Sequence, residues 1–303
     1  MTIAINFGTG TFDPLTASGA TFTGLGRAIF DVLLEYDDED KLVPGIAERW
    51  EIAPDGMSQT FYIRKGVKFH NGDDLTAADV KFSIERMMGP KSVHQDVNVW
   101  KGVIDKIELK DDYTLIFRMK VPQFDQIKSV DGGMTGVLPK KYFEERGEDF
   151  FFRNPIGSGP WKVVKYEPGL RAELEALDSH WRAVPQFKNI ILIGAKEEAS
   201  LVAMLKTGEL DLALVSTDSV PGLKAAGIRI VTFDRGTSYY SWPFYDVDNP
   251  TAVPLGDVRV RKALQLAINS KEMADKLFSG NAAPQIMTYV RPTAYFWDSN
   301  VLK

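Results

Sequence analysis

The 303-residue sequence contains no cysteine and only three histidines. The first absence removes disulfides, thiolate nucleophiles and cysteine-ligated metals from consideration. It suits an export compartment where a stray thiol would oxidise, although many cytosolic proteins lack cysteine too. His70, His94 and His180 share no metal-ligand spacing and read as surface or hydrogen-bonded residues. Of these, His94 lies in a loop with Gln95 and Trp100 that could overhang a cleft. No apolar run approaches about 18 residues, so no membrane-spanning helix is expected. The net charge of −5 leaves no basic face for neutralising phosphates, and nucleic acid is not an expected partner. Neither Gly-x-Ser-x-Gly nor His-Glu-x-x-His occurs. With 41 acidic residues, a pair of carboxylates says nothing by itself about acid/base catalysis. No signal peptide is expected within these residues, because Met1-Thr2-Ile3-Ala4-Ile5 reads straight into an expected strand.

What is present is an ordinary globular composition, 44% hydrophobic and 25% charged, at a length that suits two domains. Thr2–Phe7 reads as a buried strand, followed by a turn-rich loop through Pro14. Leu25, Ile29, Val32 and Leu33 have helical spacing and predict a helix over Gly24–Leu34. Short strands begin near Gln59. Ile107 and Leu109, then Tyr113 to Val121 in alternation, predict a hairpin turning at Asp111-Asp112. Between these, Thr76 and Asp79 form a capping-box pair ahead of Ala77, Val80, Ile84 and Met87 on one helical face. A second hairpin joins Trp161–Glu167 to Arg171–Leu177 at Pro168-Gly169, a type II turn with glycine at positive φ. After Pro185 the rhythm becomes strand Ile190–Ile193, helix Glu197–Lys206 stopped by Gly208, strand Leu210–Val215, helix Val220–Ala226 and strand Ile228–Phe233. That order implies a mainly parallel, doubly covered sheet. Asp257 and Ser270 are expected to cap two further helices. Gly280–Lys303 is apolar but aperiodic, which is expected of a segment whose partner surface is missing.

Several stretches in order resemble the extracellular solute-binding proteins of the dipeptide/oligopeptide/nickel importer family (family 5). They are Thr11-Phe12-Asp13-Pro14, then Leu42–Trp50, then Ala53-Pro54-Asp55-Gly56 with Thr60–Gly72 and Leu75–Arg86. Asn154–Trp161, Leu205–Asp211 and Asp257–Leu264 complete the set. The resemblance implies an α/β, periplasmic-binding-protein-like fold (class II, cluster C). Residues 1–43 and 154–256 would form lobe one, 44–153 an inserted α+β subdomain, and 257–303 the start of an incomplete lobe two. It implies a non-enzymatic monomer without cofactor or metal that captures a peptide or other small solute between its lobes. It further implies delivery to an ABC permease from the periplasm or cell exterior. A ligand sensor of the same fold and an extracellular hydrolase are the competing functions.

Most motifs read as structural. Gly157-Ser158-Gly159 could cradle phosphate through its amides, but Pro160-Trp161 leads into a strand rather than a helix, which favours a tight turn at a lobe junction. Gly8-Thr9-Gly10 lacks the third glycine of a dinucleotide fingerprint. Asp246, Asp248 and Asn249 begin like a calcium loop that Pro250 then breaks. Two groups are candidates for ligand contact. Phe7, Thr9, Thr11 and Phe12 follow the first strand, where α/β sheets place ligands. Tyr240, Trp242 and Phe244 share one side of an extended segment, as a cleft wall or as interlobe packing.

Overall fold

The computed structural model describes residues 1–5, 12, 26–37, 41–92, 97–124, 136–194, 196–231 and 257–277. The chain divides into two compact units, Met1–Leu214 and Val215–Lys303.

Among the described residues the first unit contains two four-stranded sheets. One has the order β4-β5-β7-β6, all antiparallel: β4 (Ala47–Ile52), β5 (Ser58–Ile63), β7 (Thr114–Met119) and β6 (Ile104–Asp111). Alternation sends Phe61, Ile63, Leu115 and Phe117 inward, where they join Val80, Ile84 and Met87 of helix α2 (Ala77–Met87) in one core. The other face carries Arg118–Glu108 at 2.8 Å and Lys106–Glu108 at 2.7 Å, the polar side of a half-buried sheet. Helix α3 (Val97–Val103) adds the buried Trp100 to this core.

The second sheet has the order β1-β10-β9-β8: β1 (Thr2–Ile5), β10 (Asn189–Gly194), β9 (Arg171–Ala176) and β8 (Trp161–Glu167). Here the expectation of a mainly parallel, doubly covered sheet is corrected. Among the described strands of this sheet only β1 and β10 run parallel, while β10, β9 and β8 are antiparallel neighbours. One face packs Ala172, Leu174 and Leu192 against Ile29, Phe30 and Phe151, the last from helix α5 (Glu148–Arg153). On the other, Glu175 pairs with Lys162 at 3.3 Å and Lys188 at 3.6 Å. A covering helix would bury those charges, so this face belongs to water. The β8–β9 turn matches its reading: Gly169 has φ +74° and the Leu170 N–H reaches the Glu167 carbonyl at 3.0 Å.

Two local expectations fail for identifiable reasons. Of the helix expected over Gly24–Leu34, residues 24 and 25 lie outside the described residues, the described part is α1 (Arg27–Ile29), and Phe30 is already extended at φ −116°, ψ 132°. The backbone beyond it is committed elsewhere. The Asp31, Val32 and Leu33 carbonyls accept the N–H groups of Val137, Ile46 and Ala47, before β2 (Leu34–Tyr36) pairs with β3 (Leu42–Pro44). Carbonyls already paired across segments cannot serve a helix ladder. Similarly, Leu210–Val215 is reduced to a single parallel bridge, Leu212 to Ile3, held by the Thr2 N–H on the Asp211 carboxylate at 2.6 Å. Residues 228–231 form no strand, and the rest of that expected element lies outside the described residues. The intervening helices do form, as α6 (Glu198–Thr207), stopped by left-handed Gly208, and α7 (Val220–Ala225).

In the second unit, α8 (Val258–Ala267) is capped as expected by Asp257, whose carboxylate accepts the Arg259 N–H at 2.8 Å. For α9 (Ser270–Leu277) the cap is Asn269 rather than Ser270: its side-chain oxygen accepts the Glu272 N–H at 3.0 Å, and Ser270 is already helical. Gly280–Lys303 lies outside the described residues.

Candidate ligand-binding region

Six of the seven residues singled out for ligand contact, Phe7, Thr9, Thr11, Tyr240, Trp242 and Phe244, lie outside the described residues, as do His94 and the Asp246–Asn249 stretch. The seventh, Phe12, is 5% exposed and stacks at a tilt on Tyr166 of β8, with ring centroids 4.8 Å apart. It belongs to the core under the second sheet. Tyr166 is itself half-buried, and this burial pushes its pKa up to about 12.

Beside this core lies a polar junction that joins three distant segments. Asp31 is fully buried and receives Trp181 Nε1–H at 2.9 Å, Arg182 Nη2–H at 3.0 Å and His180 Nε2 at 3.3 Å. Arg182 extends the network to Glu35 at 3.3 Å, and the Arg64 guanidinium lies 4.7 Å above the Trp181 ring. A buried carboxylate survives only with such partners, since desolvation otherwise drives it to neutrality. Sequence reasoning missed Asp31. Its signal was a lone acid inside Ile29-Phe30-Asp31-Val32-Leu33-Leu34, a run with no solvent-facing side to receive it.

The Gly157-Ser158-Gly159 loop is the tight turn expected of it. The Gly159 N–H bonds to the Ile29 carbonyl at 2.8 Å, and a Cβ on Gly159 would come within 2.6 Å of the Ala28 carbonyl oxygen. Both remaining histidines serve this loop. His70 accepts the Gly157 N–H on Nδ1 at 3.2 Å and donates from Nε2 to the Gly159 carbonyl at 2.9 Å. His180 accepts the Arg182 N–H on Nδ1 at 3.2 Å and donates from Nε2 to the Ser158 carbonyl at 2.9 Å. Of the two readings expected for these histidines, surface or hydrogen-bonded, both residues take the second.

Ser158, His180 and Asp31 are the residue types of a hydrolytic triad, but their arrangement cannot perform that chemistry. A general base must hold the nucleophile's hydroxyl hydrogen. Here the Ser158 Oγ is buried without a partner, and His180 bonds the Ser158 carbonyl instead. A shallow depression lined by Asp73, Thr76, Asp79 and Lys140 offers no better site. The Asp79 oxygens are already occupied by the Thr76 N–H and hydroxyl and by the Lys140 N–H. Among the described residues no group of acids and histidines could hold a metal ion, and no helix is long and apolar enough to cross a membrane.

Residues 41–301 match the family model of bacterial extracellular solute-binding proteins, family 5 Middle. The chain is 25% identical to a dipeptide-binding protein of Escherichia coli (strain K12) over 96% of its own length and 58% of that relative's. It is similar to a solved structure of the ABC transporter-associated periplasmic binding protein DppA from Helicobacter pylori in complex with peptide STSA. That match has a TM-score of 0.65 and 26% identity, covering 74% of this chain and 48% of the other. The oligopeptide-binding protein AppA from Bacillus subtilis, solved with a nonapeptide, shares the fold at TM-score 0.74 and 20% identity, covering 99% of this chain and 59% of that one. The chain thus spans a little over half the length of the curated relatives it matches, 52–58% for three of them.

Proposed function

Because this chain belongs to the family 5 bacterial extracellular solute-binding proteins, we propose that it is the ligand-capturing part of an ABC importer's binding component. It takes up a peptide or other small solute outside the cytoplasm, without catalysis, and presents it to a membrane permease as a monomer. The family match across residues 41–301 carries this reading. The inert arrangement of Ser158 and His180 supports it against the hydrolase alternative.

The division proposed for the chain is lobe one from 1–43 and 154–256, an inserted subdomain over 44–153, and the start of an incomplete lobe two over 257–303. In support, β4 to β7 all derive from residues 47–119, whereas β1 combines with strands from 161–194. The proposed ligand contacts are Phe7, Thr9, Thr11 and Phe12 with Tyr240, Trp242 and Phe244. Aromatic walls with few polar groups are the usual make-up of a small-molecule cleft.

Native mass spectrometry of the gently purified full-length protein identifies the solute class, and calorimetry with that solute measures affinity. Trp242→Ala is expected to weaken binding at least about tenfold, equivalent to about 1.4 kcal/mol. Unchanged affinity in Trp242→Ala would return the aromatic cluster to a packing role. Turnover of a peptide substrate would refute the binding-protein reading itself.

A further inference from the structure

Two histidines hold the Gly157-Ser158-Gly159 loop from different segments, His70 from the turn after β5 and His180 from the segment after β9. His70 makes three contacts with it, because its backbone N–H also donates to the Gly157 carbonyl at 2.8 Å. We propose that this is an acid-sensitive clamp, in which protonation of the His70 ring releases its turn from the Gly157–Gly159 loop. The clamp joins the two four-stranded sheets described for the first unit: His70 follows β5 of one, and the loop precedes β8 of the other.

The geometry assigns one tautomer. Gly157 N–H can only donate and the Gly159 carbonyl can only accept, so Nδ1 carries the lone pair and Nε2 the hydrogen. Protonation adds a hydrogen at Nδ1 that confronts the Gly157 N–H, leaving two donors with no acceptor between them. The loop is held on its other side, where the Gly159 N–H bonds to the Ile29 carbonyl at 2.8 Å and Gly157 lies so close to that carbonyl that an added Cβ would overlap it. The His70 ring and its turn must move instead.

The surrounding charges oppose one another. Asp31 favours the imidazolium, whereas His180 and Lys162 disfavour it. On the turn itself, Asp74 is paired with Lys68 at 2.7 Å and Asp73 accepts the Asn71 amide at 2.8 Å. Burial is the largest influence; it outweighs the Gly159 carbonyl, whose hydrogen bond favours the imidazolium, and these charges, and it holds the His70 pKa below its ordinary 6.5. The unfolded or released ring therefore binds more protons than the clamped ring below pH 6.5. The clamp is fully engaged above that pH and is lost as pH falls through the shifted value.

The test needs no ligand and does not depend on the proposed transport role. An NMR titration of the His70 ring, combined with hydrogen exchange at the Gly157 amide between about pH 7.5 and 5, reads both halves of the inference. The His70 midpoint is expected below 6.5, with Gly157 protection falling about tenfold per pH unit between 6.5 and that midpoint, the slope of one proton. His70→Gln should abolish this pH dependence, and His180→Gln should retain it. A His70 midpoint at or above 6.5, or Gly157 protection that stays constant with pH, would overturn the clamp. Both measurements use the unaltered protein, so a His70→Gln variant that fails to fold leaves the decision intact.

Discussion

The Asp79 carboxylate accepts the backbone N–H of Lys140 at 2.9 Å, across 61 residues of sequence. Its other oxygen takes the Thr76 N–H at 2.9 Å and the Thr76 hydroxyl at 2.8 Å. One side chain thus closes the first turn of α2 and also fixes the start of α4 (Lys140–Arg146). One turn further along, Ser83 repeats the docking: its hydroxyl donates to the Asp79 carbonyl at 2.7 Å and accepts the Leu138 N–H at 2.8 Å.

Asp79→Ala is accordingly expected to destabilise by about 3 kcal/mol, more than an ordinary lost cap of about 1, because a charge-assisted tertiary bond goes with it. Urea unfolding at neutral pH measures the difference. A loss near 1 kcal/mol would mean that the Lys140 contact adds little.

Removing Asp31 should cost more than removing either of its cationic or aromatic partners. Its deletion leaves the Trp181 indole and the Arg182 guanidinium without their shared acceptor, and breaking a buried pair this way costs about 3–5 kcal/mol. The Arg182 side chain is 29% exposed and has Glu35 as a second partner, so Arg182→Met should cost roughly half as much. Denaturant unfolding of the two single variants and the double gives their coupling directly.

Two glycines should fail for different reasons. Gly157→Ala drives a methyl into the Ile29 carbonyl and is expected to cost about 3 kcal/mol or more, as overpacked sites do. At Gly169 an added Cβ meets nothing, but φ is +74°, so Gly169→Ala should cost only the left-handed penalty of about 1–2 kcal/mol. Thermal melts rank them, and the reverse order would contradict the packing of the Gly157 loop.

Phe12→Ala should lower stability by about 3–5 kcal/mol, whatever it does to ligand affinity, because the ring fills the core against Tyr166. Phe12→Leu, which keeps most of the buried volume, separates the two effects. If Phe12→Leu remains stable and loses solute affinity, the ring also faces ligand.

The elements legible in advance were those whose interactions are local. Thr76 and Asp79 lie three residues apart and cap a helix whose inward positions recur every three to four residues. Pro168-Gly169 prescribes its own turn, and the alternation in Arg171-Ala172-Glu173-Leu174-Glu175-Ala176 assigns each residue to a face. Those choices need no knowledge of the rest of the chain. Tertiary structure decided what depends on distant backbone. Val32 and Leu33 have helical spacing, but their carbonyls go to Ile46 and Ala47, and the helix ends. Leu212 has a strand-like neighbourhood, but its bridge to Ile3 is the extent of its pairing among the described residues. Of the candidate site, only Phe12 falls among the described residues, and its burial against Tyr166 depends on a partner 154 positions away (166 − 12). Asp31, His70 and His180 carried almost no individual signal. Their roles arise because 31, 70, 157–159 and 180–182 meet in space, and a buried charge or a neutral imidazole takes its properties from what surrounds it rather than from its neighbours in sequence.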